Sequence, residues 1–351
     1  MHHRPINPKA APEARGLLEK LYALRGRKTL SAQHDYISSG TRYNDQIADI
    51  MGRAPSIFGG DFSFCYRGEK PAKIQHCGPA NLTEPGHGIA QWERKPSKGF
   101  DPETEPEFRE IDLHEERLAL VGRCIRKHKA GHFITLMWHG PVPNCGDTSG
   151  DHDLWAQGAF SEAQWQAMLT EGTELHQAWL AQVDRIAGYL RLLAEAGVPV
   201  LWRPYHEMNG GWFWWGQRRG PGYEFARLWE MLYQRYTDHH QLHNLLWVWN
   251  PNAPRETPGD EAEAYAAYFP GVDQVDALAT DVYHNDYQKS HYLDLIQLAS
   301  EKIIALGEVG HLPTPGLLDQ QPLWSWVMPW GGLVFRFNDD QTISKLGQRL
   351  D

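Results

Sequence analysis

Eight short apolar runs, each ending in polar or turn-forming residues, constrain this chain more than any other feature. They fall at 30–35 (LSAQHD), 56–62 (SIFGGDF), 132–139 (HFITLMWH), 199–207 (PVLWRPYHE), 244–250 (NLLWVWN), 276–284 (DALATDVYH), 302–309 (KIIALGEV) and 332–338 (GLVFRFN). Runs of this length, bounded by Gly, Pro and polar residues, fit strands buried on both faces. Helical patterns lie between them. Val183, Ile186, Ala187, Leu190, Leu193 and Ala194 share one helical face, which Gly197 and Pro199 end. Phe225, Leu228, Trp229, Leu232 and Tyr236 repeat that spacing, as do Tyr292, Leu295, Ile296 and Ala299, and Leu118, Val121 and Ile125. Eight strands with intervening helices over ~300 residues predict an α/β chain folded as a (β/α)8 TIM barrel. The alternative, an open doubly wound sheet, would carry a Gly-rich phosphate loop after its first strand, and QHDYISSG is a poor match. No linker divides the chain, so residues 1–351 read as a single catalytic domain, with 1–12 expected to be a flexible N-terminal segment.

Composition removes several function classes. A formal net charge of −10 argues against nucleic acid as the main partner, because phosphate binding relies on basic patches. No apolar run approaches the ~20 residues of a membrane helix, so no membrane partner is expected. The start, MHHRPINPKAAPEARG, contains no apolar core and no targeting segment. Two locations stay open: cytosolic, or secreted or periplasmic if a signal peptide was trimmed. Cys65, Cys77, Cys124 and Cys145 are too few for a disulfide scaffold and form no CxxC, which disfavours structural zinc. Cys65 and Cys77 share one long loop and are candidates for a bridge in an oxidising compartment, whereas Cys124 falls in a helical pattern as a buried free thiol. The chain holds 15 Trp. Part of that surplus is core, and the part near residue 207 is expected to line a cleft.

A barrel places chemistry at the C-terminal ends of its strands. Those ends read His34 and Asp35, Asp61, His139, Glu207, Asn250 and Asn252, Tyr283 and His284, Glu308, and Asn338. The fourth is the most informative, because VLWRPYHEMNGGWFWWG runs from a buried strand through Glu207 into a loop dense in Trp. Strand alternation puts Arg203, Tyr205 and Glu207 on one side. Aromatic faces can cover the apolar C–H surface of a pyranose while polar neighbours bind its hydroxyls. Glu308, on the seventh strand, lies across the ring from the fourth. Carboxyl groups so placed can approach to ~5–5.5 Å, the separation for retaining glycoside hydrolysis. Connections at 63–105 and 140–160 are long enough to wall a substrate groove on the same face.

These strand ends resemble glycoside hydrolase family 26, best known for β-mannanases. The likeness is carried by WRPYHEMNGGWFWWG and ALGEVG, with SAQHDY, MWHG and DVYHND at the first, third and sixth strand ends. The resemblance implies Glu207 as acid/base and Glu308 as nucleophile, Trp212 bounding the cleavage subsite, and Tyr283 hydrogen-bonding the nucleophile. It implies that His139 and His206 contact the sugar or the catalytic carboxylates. Asp61, Trp215, Phe335 and Trp330 complete the expected sugar contacts. The family tends to carry a Trp platform on the eighth strand. Here the run reads LVFRFN, so either Phe335 is the platform or Trp330 folds in. The implied substrate is β-1,4-mannan or galactomannan, cut internally by a monomer without cofactor or metal. The same machinery on mixed-linkage glucan or xylan is the alternative, and a non-catalytic carbohydrate-binding barrel is a third reading.

Plainer roles compete for several of these residues. Glu207 could be a structural ion-pair partner, and His34, His139, His206 and Tyr283 could be satisfied core residues. A guanidinium at Arg203 needs a carboxylate, and Asp281 is the candidate. Trp214 and Trp215 are adjacent, so at least one belongs to loop packing. The segment His139 to Asp153 is rich in His, Cys and Asp, but no spacing in it matches a known metal loop.

Overall fold

The computed structural model describes residues 4–37, 39–63, 113–143, 160–219 and 224–350. Eight strands form a closed ring: β1 Leu30–Asp35, β2 Ile57–Asp61, β3 Phe133–Trp138, β4 Val200–Pro204, β5 Leu245–Trp249, β6 Ala277–Val282, β7 Ile303–Val309 and β8 Trp324–Pro329. Each strand pairs in parallel with the next, and Leu30 and Ser31 of β1 pair with Trp326 and Val327 of β8 to close it. The (β/α)8 TIM barrel expected from the alternation is the fold observed.

The eighth strand is a correction. Residues 332–338 were expected to supply it, yet Leu333–Phe337 is a short helix and β8 lies upstream, at WSWVMP. A five-residue apolar run carries no periodicity that separates strand from helix. What decides is the ring, since the segment leaving the helix Pro315–Gln320 reaches β1 and β7 first. Gly331 then turns the chain at φ 45°, where the Tyr36 ring stands 2.3 Å from the place a Cβ would occupy.

Two apolar layers follow from strand alternation. One cluster joins Ala32, Ile57, Leu201, Leu246, Val248, Ala277, Ala279, Ala305, Trp326 and Met328 to Ala14, Leu17, Leu18 and Leu21 of the helix Pro12–Leu24. It fills the lower ring, and that helix caps it. The other lies between strands and outer helices and takes up Trp138, Trp165, Trp179, Trp202, Trp229, Trp247, Trp249 and Trp324. Most of the Trp surplus is therefore core. The helix Leu113–Lys129 buries Leu120, Val121 and Cys124, and Leu118 is exposed rather than inward. Cys124 is a buried free thiol, its pKa pushed up by burial to about 12. Cys65, Cys77 and Cys145, with most of both long connections, lie outside the described residues.

The N-terminal segment also departs from expectation. The Ile6 amide donates to Asp276 Oδ1 at 2.7 Å and the Ala11 amide to the His243 carbonyl at 2.7 Å, with Asn7 and Ala10 buried. Backbone contacts of this kind tie residues 6–11 to the barrel floor, so a loose segment through residue 12 is not what forms. Among the described residues no helix is long and apolar enough to cross a membrane.

Candidate active site

The fourth strand ends earlier than its apolar run. After Pro204 the backbone turns through positive φ at Tyr205 (48°) and Glu207 (53°). Each such non-glycine residue costs on the order of 1–3 kcal/mol unless its surroundings hold it. They do. Glu207 N donates to Asn250 O at 2.7 Å, Gly210 N to Glu207 O at 3.0 Å, and Gln217 N to Met208 O at 2.8 Å. The shared side expected for Arg203, Tyr205 and Glu207 fails at Tyr205, which the turn sends into the outer layer beside Trp138, Trp214 and Trp215. There its hydroxyl accepts from Trp179 Nε1 at 2.8 Å.

The Glu207 carboxylate accepts two hydrogen bonds from neutral donors. Trp212 Nε1 reaches Oε2 at 2.7 Å and Asn252 Nδ2 reaches Oε1 at 2.6 Å. Burial, then the charge of Glu308, raises the Glu207 pKa to about 8, and Arg255, Asn252 and Trp212 pull it back only in part. Near neutral pH this carboxyl holds its proton.

Glu308 reaches the same cleft through an irregularity. Thr280 pairs with Leu306, but Asp281 pairs with Glu308, so Gly307 is an extra residue on β7. A bulge of this kind flips the alternation by one and re-aims the next side chain. Gly307 is required there because Asn250 Oδ1 lies 1.8 Å from where a Cβ would project. Glu308 Oε1 accepts from Arg203 Nη2 at 2.7 Å and Oε2 from Tyr283 Oη at 2.6 Å. A buried guanidinium and a phenol both favour the ionised carboxylate. The two acids thus sit in opposite surroundings.

Arg203 corrects the role expected for it. Asp281 Oδ1 is near, at 3.5 Å, but Glu308 is the shorter partner. Burial and Glu308 together push the Asp281 carboxyl well above its usual range. The guanidinium therefore serves chiefly the seventh-strand acid. The parity of residue 203 was readable in sequence, but not its partner.

His206 Nε2 lies 3.7 Å from Glu308 Oε1, and its ring meets His139 edge-on at 4.6 Å. Burial, then His139 and Arg203, keep His206 well below its usual pKa, so it is neutral. His139 Nδ1 is 2.6 Å from Asp61 Oδ2. Asp61 is fully buried, so it orients His139 rather than facing a sugar. Trp215 is likewise corrected. It is buried, stacked on Phe213 at 4.4 Å, and its Nε1 donates to the His206 carbonyl at 2.8 Å, which makes it a brace behind the cleft. Trp214 is buried too, donating to the Gly140 carbonyl at 2.9 Å. Asp35 accepts from the Tyr43 and Asn44 amides at the start of the helix Arg42–Met51 and has a structural role.

Of the two platform candidates, Trp330 follows β8 directly. It stacks on His34 at 4.0 Å and lies 5.7 Å from His139. Phe335 sits instead on the short helix beside Tyr43, 6.1 Å away. Moving β8 to its true position restores a Trp at the eighth strand's end. The departure expected from LVFRFN came from assigning the wrong segment.

Sequence reasoning overlooked the Arg255 cluster. This guanidinium contacts Asn252 Oδ1, donates to Asp260 Oδ1 at 2.5 Å and to the Asp260 carbonyl at 2.8 Å, and lies 5.4 Å from the Trp212 ring centre. Asp260 Oδ2 is 2.9 Å from His284 Nε2. Arg255 follows a strand end by several loop residues, so no periodicity points to it. As for metals, His206, Asp281 and Glu308 each offer a donor atom within 4.8 Å of the others. Arg203 already lies between the two carboxylates, so a cation there would have to displace it.

The family model for Glycosyl hydrolase family 26 matches residues 116–347. A mannan endo-1,4-beta-mannosidase of Thermothelomyces thermophilus is 30% identical over 333 residues, covering 93% of this chain and 56% of that protein. A Bacillus subtilis protein of the same name is 28% identical over 330 residues, covering 90% and 75%. The chain spans about half the length of the first curated relatives it matches. Among solved structures, GH26A from Muricauda sp. superposes with a TM-score of 0.80 at 37% identity, covering 98% of this chain and 99% of that one. The GH26-CBM35 beta-(1,4)-mannanase of Podospora anserina gives 0.69 at 28%, covering 98% and 66%.

Proposed function

The chain belongs to glycosyl hydrolase family 26, and from that premise we propose that it is a retaining endo-β-1,4-mannanase acting on mannan or galactomannan. The observation that carries this reading is the contrast between the two carboxyl groups. Glu207 is buried among neutral donors with its pKa raised to about 8, the state of a proton donor. Glu308 accepts from a guanidinium and a phenol, the surroundings of an ionised nucleophile. Attack by Glu308 on the anomeric carbon breaks the glycosidic bond while Glu207 protonates the departing oxygen. Glu207, now ionised, then takes a proton from water as that water displaces Glu308, and the anomeric configuration is retained. Trp212, tied to Glu207, borders the cleavage point, and Trp330 is the platform beneath the sugar. His139 and His206, neutral or oriented by Asp61, offer donors to hydroxyl groups. The names of the relatives support mannan as the polymer.

Leaving-group dependence tests the assignment. Glu308→Ala should abolish turnover on every substrate. Glu207→Ala should cut hydrolysis of mannan severely yet spare formation of the glycosyl-enzyme from mannosides with activated aryl leaving groups, which need little protonation. Equal damage by Glu207→Ala to good and poor leaving groups would contradict its role. A product profile on mannan, mixed-linkage glucan and xylan tests the sugar, and the anomer first released, read by NMR, tests retention.

A further inference from the structure

We propose that Arg255 is the positioning residue of the acid/base, fixing both hydrogen bonds that Glu207 receives and tuning its proton affinity from the fifth βα loop. This deepens the function proposed above and rests on it. One guanidinium touches both donors of the Glu207 carboxylate. Its Nη1 donates to Asn252 Oδ1, which leaves only the Asn252 amide nitrogen to face Glu207, and that nitrogen donates to Oε1 at 2.6 Å. The same guanidinium lies 5.4 Å from the centre of the Trp212 ring, whose Nε1 donates to Oε2 at 2.7 Å. An amide has two chemically different ends, so an Asn252 without this partner is free to turn its oxygen toward Glu207.

Arg255 is itself held on both sides. Asp260 accepts two of its N–H groups, and the other Asp260 oxygen meets His284. Burial would raise the Asp260 carboxyl, but His284 and Arg255 bring it below its usual range, so it stays ionised as an anchor. The segment is further fixed by backbone pairing of Arg255 with Ala262, by Asn209 Nδ2 on the Asn252 carbonyl at 2.8 Å, and by the Asn252 amide on Asn209 Oδ1 at 2.8 Å. Among the described residues, the charged and titratable groups that act with Glu207 are Arg255 from this loop, Glu308 from β7, and Asp281 and Tyr283 from β6 and its end. Among the described residues Arg255 is the cation that acts on Glu207, opposing the repulsion from Glu308. Its removal takes away a positive charge and frees the Asn252 oxygen to accept from a protonated Glu207. Both changes favour the protonated acid, so both raise its pKa.

The test uses protein labelled with 13C at the Glu carboxyl carbons, with the Glu207 resonance assigned by its loss in Glu207→Gln. In Arg255→Met, Glu207 should titrate at higher pH than in wild type by at least ~0.5 unit. The alkaline limb of kcat/KM on β-mannan should move the same way, and kcat should fall ~10-fold or more as the carboxyl loses its alignment. Arg255→Lys should return the limb, since an ammonium supplies the charge, but not the rate, since it lacks the planar fork. A Glu207 titration unchanged in folded Arg255→Met overturns the proposal. If the Met variant does not fold, the Lys variant decides: a full wild-type kcat there also overturns it. Wild type that cleaves no β-mannan would refute the function, while the Glu207 titration still decides the role of Arg255.

Discussion

Arg203→Met tests whether the barrel mouth is organised around an ionised nucleophile. Arg203 is fully buried, 2.7 Å from Glu308 and 3.5 Å from Asp281. Methionine fills most of the volume but leaves Glu308 buried without its cation. Breaking a buried pair from one side costs about 3–5 kcal/mol. The lower end applies here, because Asp281, whose carboxyl is already pushed well above the usual range, can hold a proton in response. For a chain of this size, ~3 kcal/mol corresponds to a fall in Tm of roughly 4 °C. The cost must depend on pH with a defined sign. An ionised carboxylate buried without a cation carries the cost, and taking up a proton relieves it. That cost is small at low pH and grows as pH climbs and the buried charge persists. The variant should therefore trail wild type most at pH 8 and much less near pH 5. Activity at pH 6 should fall too, since Glu308 loses the donor that orients its Oε1. Differential scanning calorimetry of both proteins from pH 5 to 8 measures this. A deficit below ~1 kcal/mol, or one equal at both ends of that range, would refute the ion pair as the organising contact.

Two further substitutions probe the seventh strand. Tyr283→Phe removes only the phenol that donates to Glu308 Oε2 at 2.6 Å; a hydrogen bond to a charged group is worth ~1.5–3 kcal/mol, so kcat on mannan should drop between ~10- and ~150-fold, and a loss under threefold would argue against the contact. Gly307→Ala places a methyl where Asn250 Oδ1 now lies, 1.8 Å from the projected Cβ. Overpacking of this kind costs ~1–3 kcal/mol and should swing Glu308 out of line, so a folded variant with wild-type activity would show that the bulge does not aim the acid.

The amino-acid sequence by itself determined the local and the repetitive. Apolar runs and helical spacing established seven of the eight strands, because burial on both faces imposes composition residue by residue. The strand ends revealed Glu207, Glu308, Tyr283 and Asn252, because a barrel gathers polar side chains at one rim whatever its sequence. Only the tertiary structure decided which of them touch. The run at 332–338 looked like β8 until ring closure assigned that place to WSWVMP, which put Trp330 beside His34. Trp215 and Asp61 looked exposed by position but lie behind His206 and His139. Arg203 found Glu308 through a one-residue bulge, and Arg255 reached Glu207 from a loop. Register, bulges and returning loops depend on atoms far apart in the chain, so they leave no period for a local reading to find.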